Sequence, residues 1–444
     1  MIELEKADIR YVLLRKDLLL NTPIKDLDLL IDASQYSAFR RVAQANGFFL
    51  IKDGFLNPAK KVFIRPCHQG SLLIDLHLEV IHRGLVFHDA KACLQRRQKQ
   101  DGLFFLSDED YLISLLFHNI LAKKRIQEKH ADELRRLFKK PLDEKYLRQK
   151  LQQFGIWPVF VTIRQEFEDC VRNPQRVEPL TTQAKQLLKK SVPGNRRRLW
   201  QVRWRRYRLR VFGRKRGVLV AFMGPDGSGK TTTIHAVRDY LKAVGCNTRV
   251  VYLGPWGGSL FHFKERLKRL NVDPYREDYK AYYAGKLSTK PGPLPFLKRI
   301  KLFVRSAIYY PLLMIEMAAR WQLRVLPGLR EGRIVLADRY IYDMLVGYKN
   351  RPMDYHVRLR RLLCRLYPRP DFGVLLDADP EIIFKRKPQL RTGHIAMLRP
   401  IYHQVARQYG FVVLDTGTSV DATVQGFAET LLPSLLKRLQ TRLD

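Results

Sequence analysis

A chain of 444 residues with 46% hydrophobic content predicts two or three domains with ordinary packed cores. The five cysteines (Cys67, Cys93, Cys170, Cys246 and Cys364) lack paired spacing, and the longest apolar stretch, residues 307–315, is too short for a membrane span and contains Pro311; this argues against a disulfide framework, a zinc site and a spanning helix. The net charge of +38 is uneven: residues 185–216 carry 14 Lys and Arg and no acid, and residues 217–444 carry 37 against 19. Such a field attracts nucleic acid, acidic lipid headgroups or phosphorylated substrates. The opening Met1-Ile2-Glu3-Leu4-Glu5-Lys6 does not read as a signal peptide, and the cysteine usage fits a reducing compartment, so the expected location is cytoplasmic.

Residues 1–190 read as a small α/β unit with helices packed behind it. Residues 9–15 and 27–31 read as strands, and 34–46 as a helix with Ser34 as N-cap. Residues 72–80 alternate as a further strand. From 108 to 138 the apolar spacing is helical (Leu112, Leu115, Leu116, Ile120, then Ile126, Leu134, Leu137), with Pro141 as the stop. Residues 142–190 read as short helices. Asp26-Leu27-Asp28 puts two carboxylates on one face of a strand, because side chains alternate with period two, and Asp75 begins or lies within a second strand. Three carboxylates on adjacent strands suit one or two Mg²⁺ ions. With Tyr11 to Arg15 and Asp26 to Asp32, this pattern resembles the minimal nucleotidyltransferase superfamily over roughly residues 1–140. The resemblance implies a metal site at Asp26, Asp28 and Asp75. The Gly-Ser or Gly-Gly pair that the superfamily uses for the triphosphate is absent, and Arg15-Lys16 stands in its place. The alternative is that these acids cap strands and bind nothing.

Residues 191–216 form a basic aromatic connector, opened by Pro193-Gly194. Within 196–212, Trp200, Trp204, Tyr207 and Val211 share one helical face, although 207–211 also alternates like a strand. Three readings stay open: a linker or helix docked on the protein itself, an element on an anionic membrane surface, which would make the protein peripheral on the inner face of the membrane, or a nucleic-acid contact.

Residues 217–444 alternate strands and helices as a doubly wound parallel sheet does. Strands are expected at 218–222, 249–253, 333–337, 372–376 and 411–414. Helices are expected at 232–241, 312–326, 380–386 and 420–439. Residues 259–311 form a long basic insertion, read as functional or as a lid. Gly224-Pro225-Asp226-Gly227-Ser228-Gly229-Lys230-Thr231 fits G-x-x-x-x-G-K-[ST] between the first strand and its helix. Its glycines let backbone N–H groups point at phosphate oxygens, Lys230 reaches the β- and γ-phosphates, and the Thr231 hydroxyl can ligate Mg²⁺. Asp338 follows an apolar strand where a second, metal-organising carboxylate is needed, with Arg339 beside it. Asp377 ends the next strand. Arg386, Lys387 and Arg391 follow the next helix and can serve as a cationic lid.

Gly224 to Thr232, Ala337-Asp338-Arg339-Tyr340, the Leu375 to Arg386 segment and Ala318-Ala319-Arg320-Trp321 resemble the thymidylate kinase family. The resemblance covers 217–444 and implies a P-loop α/β kinase using ATP and Mg²⁺. The donor would lie over Gly224, Gly227, Ser228, Gly229, Lys230, Thr231 and Thr232, and Asp226 would touch the acceptor sugar. Arg320 and Arg339 would hold the acceptor nucleotide, and Arg386 would lie against adenine. Two segments depart from the family. Its Arg-Glu-Pro-Gly-Gly reads Gly254-Pro255-Trp256-Gly257-Gly258 here, and Ile341 to Tyr348, with Tyr342, Asp343 and Tyr348, replaces the segment that faces the base. The expected activity is ATP- and Mg²⁺-dependent phosphoryl transfer to a nucleoside monophosphate or other phosphorylated acceptor, fused to a nucleotidyltransferase-like domain. The rivals are nucleic-acid end processing and a nucleotide-switched protein at a membrane surface.

Overall fold

A computed structural model describes residues 1–15, 26–53, 59–67, 70–213, 215–255, 260, 282, 288, 292, 295–346, 356–388 and 392–443. Contacts divide it into two compact units, Met1–Phe212 and Gly213–Leu443.

The first unit carries β1 (Tyr11–Leu13), β2 (Asp26–Ile31), β3 (Phe49–Lys52), β4 (Lys60–Cys67), β5 (Gly70–His77), β6 (Val80–His82), β7 (Leu85–His88), β8 (Gln98–Gln100) and β9 (Leu103–Phe105). Seven of these make a mixed sheet in the order β3-β4-β5-β2-β1-β9-β8, and β6 pairs with β7 apart from it. β2 and β5 run parallel with Asp28 opposite Asp75. Behind the sheet, helices bury a continuous apolar core that includes Leu112, Leu116, Leu134, Leu147, Phe160 and Leu188.

Local chemistry moves several expected boundaries. The helix expected from Ser34 runs Tyr36–Ala45, after a 3₁₀ turn at Ala33–Gln35. Asp32 caps that turn, its carboxylate accepting from the Ser34 N–H at 2.8 Å, and the helix itself starts from Gln35 without a side-chain cap. The helical run from 108 to 138 is two helices, Asp108–His118 and Glu128–Lys139. A wide turn at Asn119–Lys123 and Lys124 at φ +56° separate them. Buried Asn119 satisfies that break, donating to Leu115 O at 2.8 Å and accepting from Gln127 N at 3.1 Å. Buried Asp110 is likewise satisfied, by His88 (3.0 Å), the Tyr146 hydroxyl (2.6 Å) and the Ser107 hydroxyl (3.0 Å).

Residues 195–212, expected within the connector, form one helix, Asn195–Phe212, that belongs to the first unit. Buried Asn195 anchors its start, accepting from Val86 N and donating to the carbonyls of Val86 and Leu188. The helical period therefore prevails over the alternation at 207–211.

The second unit is a five-stranded, all-parallel sheet in the order β11-β12-β10-β13-β14, built from β10 (Val218–Met223), β11 (Thr248–Tyr252), β12 (Ile334–Asp338), β13 (Phe372–Asp377) and β14 (Val412–Asp415). Every residue of β10 is buried, as a central strand covered on both faces requires. The chain is thus mixed α/β, with a wholly parallel sheet in this unit. The helix expected from 312 begins at Phe296 and runs to Arg320. The closing helix is broken into Val420–Thr430 and Leu432–Leu443. Pro433 accounts for the break, because it lacks an N–H and its ring collides with the carbonyl four residues back.

Candidate active site

β10 is central, with β12 on one side and β13 on the other, so a crevice opens at the carboxyl ends of the strands where the strand order reverses. The loop after β10 sits there. Gly224, Gly227 and Gly229 have φ of +150°, +93° and +76°, conformations that L side chains rarely adopt. A Cβ on Gly224 would collide with the Leu376 carbonyl oxygen, and one on Gly227 would lie 2.9 Å from Ile383 O. The loop is thereby pressed against β13 and the helix Pro380–Arg386. The helix Lys230–Ala243 starts where the loop ends, with Thr231 and Thr232 exposed at its first turn.

Ser228 is 0% exposed, and its hydroxyl has no hydrogen-bond partner. Lys230 is folded back, donating to Gly224 O at 2.9 Å and Pro225 O at 2.6 Å. Burial, with Arg339 nearby, lowers its ammonium to about 8. An orphaned hydroxyl, strained glycines and a cation held on its own loop fit nucleotide phosphates. The pKa has a consequence that calorimetry can read. Above about pH 8 ligand-free Lys230 loses its proton, whereas phosphate oxygens favour the charged form. ATP binding at about pH 9 should therefore take up close to one proton, and the uptake should fade towards neutral pH. Equal heats in buffers of different ionisation enthalpy would contradict this.

Asp338 ends β12, opposite Phe222 of β10 and Tyr252 of β11. Arg339 follows at φ +65°, its N–H donating to Phe222 O at 3.1 Å. Its guanidinium is engaged on both sides, with Asp226 of the loop and with Asp343 at 2.7 Å. Burial opposes its charge, but Asp343 and Asp226 outweigh that and raise its pKa. On Asp226, burial is outweighed by Arg339, Lys230 and Lys387, which hold its carboxyl below the ordinary value.

Arg320 is fully buried in an ion pair with Glu316, one turn earlier on the same helix, and donates to Gly254 O at 2.9 Å. Sequence reasoning missed Glu316, although its i, i+4 spacing to Arg320 was visible. Tyr342, expected to face the acceptor, is a core residue: it stacks on Tyr409 with centroids 4.0 Å apart and meets Phe411 edge-on. Arg386 lies beside the loop, its Nη1 3.7 Å from where a Gly229 Cβ would be, and donates to Thr416 O at 2.8 Å. Thr416, also missed, ties the site together, its one hydroxyl proton shared between Ser228 O and Asp377 O, each at 3.0 Å. Asp377 turns towards Arg399 and His403, both at 2.8 Å. Arg391, Trp256, Tyr348 and most of 259–311 lie outside the described residues.

In the first unit, Asp28, Asp75 and His77 bring ligating atoms within 4.8 Å of one another. Asp26 is not in that group, although its carboxyl is pushed up by burial and by Asp28. His77, two residues beyond Asp75 and on the same strand face, was legible from period two and was missed. A cation sits on one oxygen of each carboxylate, Arg15 2.5 Å from Asp28 Oδ2 and Lys60 on Asp75 Oδ2, while Asp75 Oδ1 and His77 Nε2 are buried without a hydrogen-bond partner. Lys16 lies outside the described residues.

No protein-family model matches the chain. It is similar to a probable thymidylate kinase from Archaeoglobus fulgidus, 27% identical over 169 residues that make up 38% of this chain and 68% of that protein. A thymidylate kinase from Lactobacillus helveticus is 25% identical over 245 residues, 50% of this chain and 98% of that one. The crystal structure of thymidylate kinase from Ehrlichia chaffeensis is similar at 20% identity with a TM-score of 0.30, over 48% of this chain and 98% of that chain. The curated relatives indicate a nucleotide kinase phosphotransferase.

Proposed function

We propose that the second unit moves the γ-phosphoryl group of ATP, with Mg²⁺, to a nucleoside monophosphate or another phosphorylated acceptor. The observation that carries this reading is the loop itself: strained glycines, the buried unpartnered Ser228 hydroxyl and Lys230 at the carboxyl end of the central strand. ATP supplies the phosphoryl group, and Mg²⁺ offsets its charge. Loop N–H groups and the Ser228 hydroxyl bind phosphate oxygens. Lys230 leaves the Gly224 and Pro225 carbonyls to meet them. Thr231 and Asp338 would hold the metal, and Arg386 would flank the donor. Asp226 orients the acceptor, and Arg339 is released from Asp226 to meet the acceptor phosphate. Arg320 acts behind the surface, fixing the backbone at Gly254 through its pair with Glu316.

The acceptor is phosphorylated but not strictly thymidylate. Gly254-Pro255-Trp256 lacks the family's Arg and Glu, and Asp343 already occupies one side of Arg339. Polar readers discriminate strongly, so their replacement changes which acceptor is accepted. Comparing kcat/KM across nucleoside monophosphates and phosphorylated sugars tests this. Comparable values for thymidylate and at least one other acceptor are expected. A preference for thymidylate by several orders of magnitude over every alternative would contradict it.

We read the first unit as a nucleotidyltransferase-like module used for binding rather than as a second catalytic centre. In support, Arg15 and Lys60 already pair with one oxygen each of Asp28 and Asp75, which offsets the negative charge that would draw a divalent ion there.

A further inference from the structure

At 100° per residue, helix Asn195–Phe212 presents two opposed apolar rows. Asn195, Leu199, Val202 and Leu209 fall on one side, and Asn195 and Leu209 are buried there. Trp200, Trp204, Tyr207 and Val211 fall on the other side, 64%, 48%, 58% and 39% exposed. Asn195 and Leu199 pack on the first unit, and the aromatic row is left to solvent, with Phe212 77% exposed at its end. The helix holds eight arginines and no acid. Exposed Arg196 and Arg203 flank the aromatic row on one side, and Arg197 and Arg208 flank it on the other. Among its described side chains only Arg198 has a carboxylate partner, Glu79 at 2.8 Å.

We propose that this face docks on an anionic lipid surface. The rings enter the interfacial zone, where amphipathic aromatics are favoured, and the flanking guanidiniums meet headgroup anions. Charge selects the occupant. A second copy of the helix would bring eight more arginines and no acid to answer these, whereas acidic headgroups complement them. Ring spacing leaves no slot for a base between the rings. Sandwiching a base needs planes about 7 Å apart, twice the stacking rise of about 3.4 Å. The near-parallel Trp200 and Trp204 have centroids 6.1 Å apart, and Trp204 and Tyr207 5.9 Å apart, so neither gap admits one. Docking is confined to the surface, since among the described residues no helix is long and apolar enough to cross a membrane.

Sedimentation of the full chain with vesicles tests this. One set is pure phosphatidylcholine and the other contains about one part in three phosphatidylserine. The expected result is a partition coefficient at least about tenfold higher on the acidic vesicles, falling as salt is raised. The triple variant W200A/W204A/Y207A should lose about tenfold or more of it, and the separate triple variant R196Q/R203Q/R208Q should lose the preference for acidic lipid. Every substituted side chain points outward, and an unchanged thermal melt checks that the variants fold. Equal partition onto both vesicles, or binding unaffected by the aromatic variant, overturns the proposal. So does tighter binding to single-stranded RNA at the same salt, lost in both variants, which would assign the face to nucleic acid.

Discussion

Lys230→Ala should weaken ATP binding by about 100-fold or more in a calorimetric titration. Hydrogen bonds to charged groups contribute about 1.5–3 kcal/mol each, and the ammonium serves oxygens of two phosphates. Folding should survive, because the ammonium's partners, the Gly224 and Pro225 carbonyls and Asp226 at 3.8 Å, all belong to its own loop. Unchanged affinity would remove the loop from the account. Asp338→Asn keeps shape and loses charge, so turnover should fall about 100-fold with little change in thermal midpoint. The Lys230 variant also assigns activities: any ATP consumption that survives it would belong to the first unit and would overturn the reading of that unit as a binding module.

Arg320→Ala should cost about 3–5 kcal/mol of stability, the range for stranding one partner of a buried ion pair. Its side chain is 0% exposed and that of Glu316 1%. The substitution removes the guanidinium from beside the buried Glu316 carboxylate and from Gly254 O. Glu316→Gln, which keeps a hydrogen-bonding oxygen without the charge, should cost less. Denaturant midpoints of the two variants check the order. If Arg320→Ala cost under about 1 kcal/mol while raising the acceptor KM steeply, Arg320 would be a direct acceptor contact, as the family resemblance implied.

That contrast marks where sequence reading stops. The loop from Gly224 to Thr231, the fully buried β10 before it and Asp338 at the end of β12 were legible, because they rest on local period and spacing. So was the helix Pro380–Arg386, with Pro380 at its start. What one arginine does was not legible, because it depends on who faces it. Arg320 and Arg339 read alike as acceptor cations, yet Glu316 and Asp343 engage both. Tyr342 looked like a substrate reader because it follows the Asp-Arg pair, but the 3₁₀ turn Ile341–Met344 turns it onto Tyr409 and Phe411. In the first unit, the expectation of carboxylates on adjacent strands holds for Asp28 and Asp75, which lie opposite each other, while Asp26, expected beside Asp28, is outside the cluster. Local pattern could not show that Arg15 and Lys60 pair with one oxygen of each, since those contacts join β2 and β5 to other segments of the chain.

The most direct test of the central claim is transfer of labelled γ-phosphate from ATP by the full chain. It would be run against a panel of nucleoside monophosphates and phosphorylated sugars, with Mg²⁺ and then with excess chelator. Label should appear on at least one phosphorylated acceptor, dependent on Mg²⁺ and abolished by Lys230→Ala. ATP bound tightly through Lys230 but transferred to no acceptor on the panel would contradict it.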